Sequence, residues 1–154
     1  MYDQILVPTD GSEAAEAAFA HAFDLASRYD ATVHALYVVD TAMYSSLDAR
    51  TDLVIDALSE QGEHAVDAVR DRGETAGVPV VEDVVRGSPA KAILGYVEQE
   101  GIDLVVMGTH GRRGLDRLVL GSVTERVLRS SPAPVMVVQG TRPGSRDAED
   151  EDEQ

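Results

Sequence analysis

The feature that most constrains this chain is an alternation. Five short apolar runs alternate with four stretches that carry helical signals. The runs are Gln4 to Pro8, Thr32 to Val39, Val80 to Val85, Asp103 to Met107 and Pro134 to Gln139. Each has the length of a strand. Between them, Ala15, Ala18, Phe19, Ala22, Phe23 and Ala26 trace one helical face, and Val54, Leu58, Ala65 and Val69 trace another. The order β-α-β-α-β-α-β-α-β predicts an α/β fold: a single Rossmann-like, open, five-stranded parallel sheet with helices on both faces and right-handed crossovers.

Local signals set the boundaries. Ser12 is the expected cap of the first helix, with Glu13 and Glu16 against the positive end of its dipole. The second helix should run from about 50 to 76, ended by Gly77 and Pro79. Gly62 in its middle should cost roughly 1 kcal/mol against Ala. The third run carries Glu82 and Asp83, which suits a sheet edge. Ser88 is the expected cap of the third helix, with Pro89 at its first position. The fourth helix is read from Ser122 to Ser130. A polar loop spans 40 to 48.

The chemistry concentrates between Val105 and Leu128. An apolar strand ends at Gly108, Gly111 follows, and Gly121-Ser122 opens a helix, a G-x2-G-x9-G-S spacing. Glycines let backbone N–H groups approach a ligand with no Cβ in the way. A helix N-terminus adds free donors and positive potential. The combination describes a phosphate site at the end of a parallel strand. The same glycines could also serve only a tight turn and a helix start. Arg112, Arg113 and Arg117 bring positive charge to this loop, either as phosphate or carboxylate partners or as solvent-facing residues. His110 is read as an exposed turn residue rather than a base.

Other chemistries lack their signatures. There is no GxxxxGK[ST], no GxSxG and no HExxH. The four histidines lack metal-ligand spacing, so no metal site made by the protein is expected. No cysteine is present, which excludes disulfides and thiolate catalysis. The 154 residues suit one domain, no apolar run approaches the ~18 residues of a bilayer span, and MYDQILVP does not read as a signal peptide. A cytoplasmic protein with no membrane partner is the expectation.

The net charge is −15, and twelve of the thirteen basic residues are Arg. Residues 140–154 read as a disordered acidic tail with six acids against two Arg, leaving about −11 on the rest. Such a balance disfavours nucleic acid as a partner. Acid-rich, Lys-poor composition points to an extreme halophile, because molar salt screens carboxylate repulsion.

Several segments together resemble the universal stress protein family, in its ATP-binding branch: VPTDGS at Val7 to Ser12, RGSP at Arg86 to Pro89, DLVVMGTHGRRGL, and LGSVTERVLRSSPAPVMVV. The resemblance covers residues 1–139. It implies the sheet order 3-2-1-4-5, with a ligand crevice flanked by strands one and four. It places Pro8, Thr9 and Asp10 against the nucleoside, with the Asp10 carboxylate accepting from it. Val38 would pack on the adenine, and Met107 and Gly108 would line the ribose. Gly111, Gly121 and Ser122 would cradle the phosphates, helped by Val123 and Thr124. Asp10 as a helix cap and Val38 as plain core remain open readings. Adenylating pyrophosphatases share the sheet order, but their SGGxDS-type loop is TDGSEA here. The implied function is an ATP-binding stress-response or signalling module, with Mg²⁺ on the phosphates and a homodimer through strand 134–139. No catalytic residue is expected, and hydrolysis would be weak at most. The alternatives are a slow ATPase that needs a partner and a dimeric interaction module that binds no nucleotide.

Overall fold

The computed structural model describes residues 1–41, 49–109 and 120–140. Five parallel strands form one sheet: β1 (Gln4–Pro8), β2 (Thr32–Asp40), β3 (Val80–Gly87), β4 (Leu104–Gly108) and β5 (Val135–Val138). Their order is β3-β2-β1-β4-β5, with β3 and β5 at the edges. The helices α1 (Glu13–Tyr29), α2 (Ala49–Ala76), α3 (Pro89–Gln99) and α4 (Ser122–Ser130) connect them. No described helix is long and apolar enough to cross a membrane. Residues 141–154 and most of the 40 to 48 loop lie outside the described residues.

Strand alternation sends side chains to two cores. Ile5, Val7, Val33, Ala35, Tyr37, Leu104 and Val106 meet Phe19, Phe23 and Val69 of α1 and α2. Leu6, Leu36, Val105 and Met107 meet Ile93, Val97 and Val127 of α3 and α4. The two acids of β3 follow the same alternation. Glu82 reaches Arg70 of α2 at 3.1 Å, and Asp83 accepts from Tyr96 of α3 at 2.7 Å.

Capping occurs where the sequence places it, with one exception. Ser12 accepts from the Ala15 N–H at 3.3 Å and opens α1. Ser88 holds the N-cap position of α3, but its side chain makes no capping bond, and Pro89 sets the first turn. Asp103, expected to open β4, lies outside it. Its carboxylate instead accepts from the N–H groups of Asp3 and Gln4, both at 2.9 Å, and ties β1 to the segment before β4. β3 continues past Val85 to Gly87, because β2 runs on to Asp40 as its partner.

Two expectations for α2 need correction. Val54 is 38% exposed, whereas Leu58, Ala65 and Val69 do face the core, joined there by Ile55, Gly62 and Val66. Gly62 is also more than a weak point. A Cβ there would sit 2.6 Å from Cδ1 of the buried Tyr37 ring. Helix propensity alone favours Gly62→Ala by about 1 kcal/mol. The overlap should reverse that sign and leave a net loss of about 1–2 kcal/mol, within the usual cost of overpacking. Urea denaturation of the variant checks it, and a gain in midpoint would refute the contact.

Candidate functional site

The order β3-β2-β1-β4-β5 reverses direction between β1 and β4. From the end of β1 the chain turns onto one face as α1, while from β4 it goes to the other face as α4. Connections that part in this way leave a crevice beyond the strand ends. Among the described residues, three short pieces border it: residues 8–12, the end of β2, and the end of β4 with the start of α4.

The first piece is a fixed turn. The Thr9 N–H donates to the Leu36 carbonyl at 2.9 Å. The buried Thr9 hydroxyl accepts from the Gly11 N–H at 3.1 Å, and Asp10 Oδ1 accepts from the Ser12 N–H at 2.9 Å. Gly11 has φ 79°, a left-handed conformation that favours glycine. Asp10 therefore shapes the turn two residues before the cap, and the cap itself is Ser12.

The apolar side of the crevice comes from alternation. Pro8 pairs in register with Leu36, so Val38 reaches beyond the end of β1. Val38 is half-buried and packs with the α3 and α4 core, as does Met107 at 5% exposure. Pro8, Val38 and Met107 thus occupy same-side positions at adjoining strand ends. This agrees with both readings of Val38, as core and as crevice wall.

The third piece brings helix α4 to the end of β4. Thr109 donates its N–H to the Val138 carbonyl at 3.1 Å and accepts from the Gly121 N–H at 2.8 Å. One residue thereby pins both ends of the intervening loop. Thr124 turns inward, 4% exposed, and its hydroxyl donates to the Gly108 carbonyl at 3.0 Å. Its hydroxyl is thereby committed within the fold. The first intrahelical bond is Glu125 N–H to the Gly121 carbonyl at 2.9 Å. The N–H groups of Ser122, Val123 and Thr124 precede it, and no described residue accepts from them. They form the donor set expected at a helix start. Gly121 lies at φ −59° and ψ 149°, which any residue can adopt. Its lack of a side chain answers no local backbone demand.

Gly108 differs. A Cβ on it would sit 2.6 Å from the Ala14 carbonyl oxygen. Glycine is needed there so that the first turn of α1 can cross the end of β4, whatever the residue does toward a ligand. Gly111, His110, Arg112, Arg113 and Arg117 lie outside the described residues. Among the described residues no group of three His, Asp or Glu side chains could hold a metal.

Sequence reasoning missed two parts of this site. Gly11, in TDGS immediately before the capping serine, signals the tight turn. The role of Thr109 carries no such signal, because it is made by backbone groups alone. An open cleft of about 420 Å³ also lies beside the turn, bordered by Thr9, Gly11, Glu16 and Phe19 of one segment and Gln61 and His64 of α2.

The model of the universal stress protein family matches residues 1–139. Universal stress protein MJ0531 of Methanocaldococcus jannaschii is 40% identical over 141 residues, which cover 90% of this chain and 83% of that protein. The chain belongs to the universal stress protein family. The solved structure of MJ0577, from the same organism, is similar to this universal stress protein with a TM-score of 0.84 and 34% identity. That match covers 93% of this chain and 99% of the other. Two more distant members share the fold, at 24% and 19% identity with TM-scores of 0.68 and 0.65 and coverage of 91% and 94% of this chain and 98% and 99% of theirs. The first was solved in complex with cAMP, and the second, from Arabidopsis thaliana, with AMP bound.

Proposed function

We propose that this universal stress protein binds ATP in the β1/β4 crevice and acts as a nucleotide-dependent stress-response module in the cytoplasm. The observation that carries the reading is the start of α4. Three backbone N–H groups follow a glycine that needs no special conformation, and Thr109 holds them beside the end of β4. An anion is the natural occupant of such a place. Pro8, Val38 and Met107 offer the apolar side that a nucleoside needs, and Asp10 stands at the turn. Relatives with bound AMP or cAMP support the ligand class. The phosphates would be held by Gly121, Ser122, Val123 and Thr124 with Gly111, and Mg²⁺ would ride on them with several waters retained. Mass spectrometry of ligand released by denaturing freshly purified protein tests the reading, and adenine nucleotide is the expected product. Turnover assays with and without cell extract separate a binder from a slow ATPase.

A module that binds no nucleotide is the second reading. Gly108 and Thr124 favour it, since each is explained by packing and hydrogen bonding within the fold. Purified protein that carries no nucleotide and takes none up would decide for it.

We further propose a homodimer through β5. This strand is a sheet edge, with Val135, Met136 and Val137 half-buried in the single chain. Apolar edges of this kind are normally covered, and pairing with a two-fold mate closes the symmetry. Val137→Lys should lower the sedimentation mass toward that of a monomer, and a monomeric wild type at micromolar concentration would count against the dimer.

Charge should enter the binding. At low salt a net −15 opposes an anionic ligand and the compact state alike. At ~1 M salt the screening length falls to about 3 Å, which removes that field and spares close contacts. MgATP affinity should therefore hold level or rise as KCl goes from dilute to molar, and the thermal midpoint without ligand should rise. Titrations at several KCl concentrations, with circular dichroism confirming the fold, check both. A steep fall in affinity with an intact fold would assign the dominant local field to Arg112, Arg113 and Arg117 and contradict the halophilic reading.

A further inference from the structure

Away from the crevice, toward the N-terminal ends of the strands, a string of polar side chains crosses the α3 side of the sheet. His34 of β2 is 4% exposed. Its Nδ1 lies 2.9 Å from the Tyr96 hydroxyl of α3, and its Nε2 lies 2.6 Å from Oε1 of Gln4 on β1. The Tyr96 hydroxyl donates to Asp83 Oδ2 of β3 at 2.7 Å. The two rings meet edge-on, with centroids 5.7 Å apart. One imidazole thus joins β1, β2, β3 and α3.

The protons in this string can be counted. A tyrosine hydroxyl has one hydrogen, and here Asp83 receives it. Toward His34 the hydroxyl can only accept, so Nδ1 must carry a proton. Nε2 faces a carboxamide oxygen, which also only accepts. In this arrangement both ring nitrogens donate, and the ring is an imidazolium. Half a turn of the Gln4 carboxamide puts its NH₂ in place of the oxygen. That NH₂ then donates to a bare Nε2, and the ring is neutral. A carboxamide serves both states with almost the same shape, so neither leaves a buried polar atom unpaired.

We propose that His34, Tyr96 and Asp83 form a proton-binding device inside the fold, in which the Gln4 carboxamide turns over as His34 gains or loses its second proton. Asp83 supplies the counter-charge through the Tyr96 hydroxyl. The titratable groups facing the ring are Tyr96 from α3, Glu100 at the C-cap of that helix and Asp83 from β3. β1 presents the uncharged Gln4, whose backbone N–H is held by Asp103.

Burial holds His34 below the usual histidine range, opposed by the carboxylates of Glu100 and Asp83. The unfolded chain then takes up the proton at higher pH than the folded one. The stabilisation is complete above the ordinary histidine value and is lost as pH falls through the folded-state value.

Nitrogen-15 NMR of the His34 ring in the full chain, from pH 8 to pH 4.5, tests the proposal. At pH 8 the wild type should show a protonated Nδ1 and a bare Nε2. Acidification should add the second proton while the protein stays folded. Gln4→Glu places a carboxylate against Nε2 and should raise the titration midpoint by about 1–3 pH units. Tyr96→Phe removes the acceptor at Nδ1 and should move the neutral proton to Nε2. Three results would overturn the device: a wild type protonated at Nε2 alone at pH 8, a ring that stays neutral until the protein unfolds, or a Gln4→Glu midpoint equal to that of the wild type. The wild-type spectrum decides the first two even if a variant fails to fold.

Discussion

Gly108→Ala should destabilise the fold by about 3 kcal/mol or more, at the upper end of the cost of overpacking. The added methyl would lie 2.6 Å from the Ala14 oxygen and 2.9 Å from its carbonyl carbon. Those are backbone atoms in the first turn of α1, so no rotamer change relieves the overlap. The helix would have to lift away from β4, taking with it the Thr9–Ser12 turn and the face that carries Ala15, Ala18 and Phe19. Set against a typical total of about 5–15 kcal/mol, this is a large loss. Urea denaturation should show a much lower midpoint with the slope unchanged. Gly95→Ala is the matched control. It lies inside α3 with open space where the methyl would go, so it should gain up to about 1 kcal/mol from helix propensity. Equal stability of Gly108→Ala and wild type would refute the close crossing of α1 over β4.

Gly121→Val should have the opposite profile, with stability kept and ATP binding lost. At φ −59° and ψ 149° a β-branched residue fits the backbone, and this position precedes the helix rather than interrupting it. The change in stability should stay within about 1 kcal/mol. The valine methyls would stand beside the N–H groups of Ser122 and Val123, where a phosphate oxygen needs close approach. A loss of at least about 100-fold in affinity is expected, equivalent to about 2.8 kcal/mol. Calorimetry measures it, and an unchanged far-UV circular dichroism spectrum shows that the fold survives. Wild-type affinity in this variant would remove Gly121 from the phosphate site.

The sheet was legible in the sequence because its signals are local. Short apolar runs give the strands, and Ser12, Pro89 and Gly77 punctuate the helices. Strand limits shifted by a residue or two wherever pairing decided them, as Gly87 is paired by Asp40. The buried face of α2 was harder to read. It depends on where Tyr37 of another element needs room, and no property of residues 50 to 76 records that. The same holds for Gly108. Its sequence context suggests ligand approach, while the structure adds a requirement from α1, some 90 residues earlier. The His34 string was invisible for a similar reason. His34, Gln4, Asp83 and Tyr96 belong to four elements, and their types follow no shared spacing. The start of α4 was legible, since a glycine and a serine before a helical pattern announce it. Thr109 was not, because its role lies in backbone groups that any residue possesses.

In the proposed function, the donors at the start of α4 hold the phosphates of ATP. Isothermal titration of nucleotide-stripped wild type with MgATP, at ~1 M KCl where the screening length is about 3 Å, tests it most directly. Saturable binding of one ATP per chain is expected, with no measurable heat for Gly121→Val under the same conditions. A folded wild type that takes up no ATP at millimolar concentration, or that binds it equally well with Gly121→Val, would contradict it.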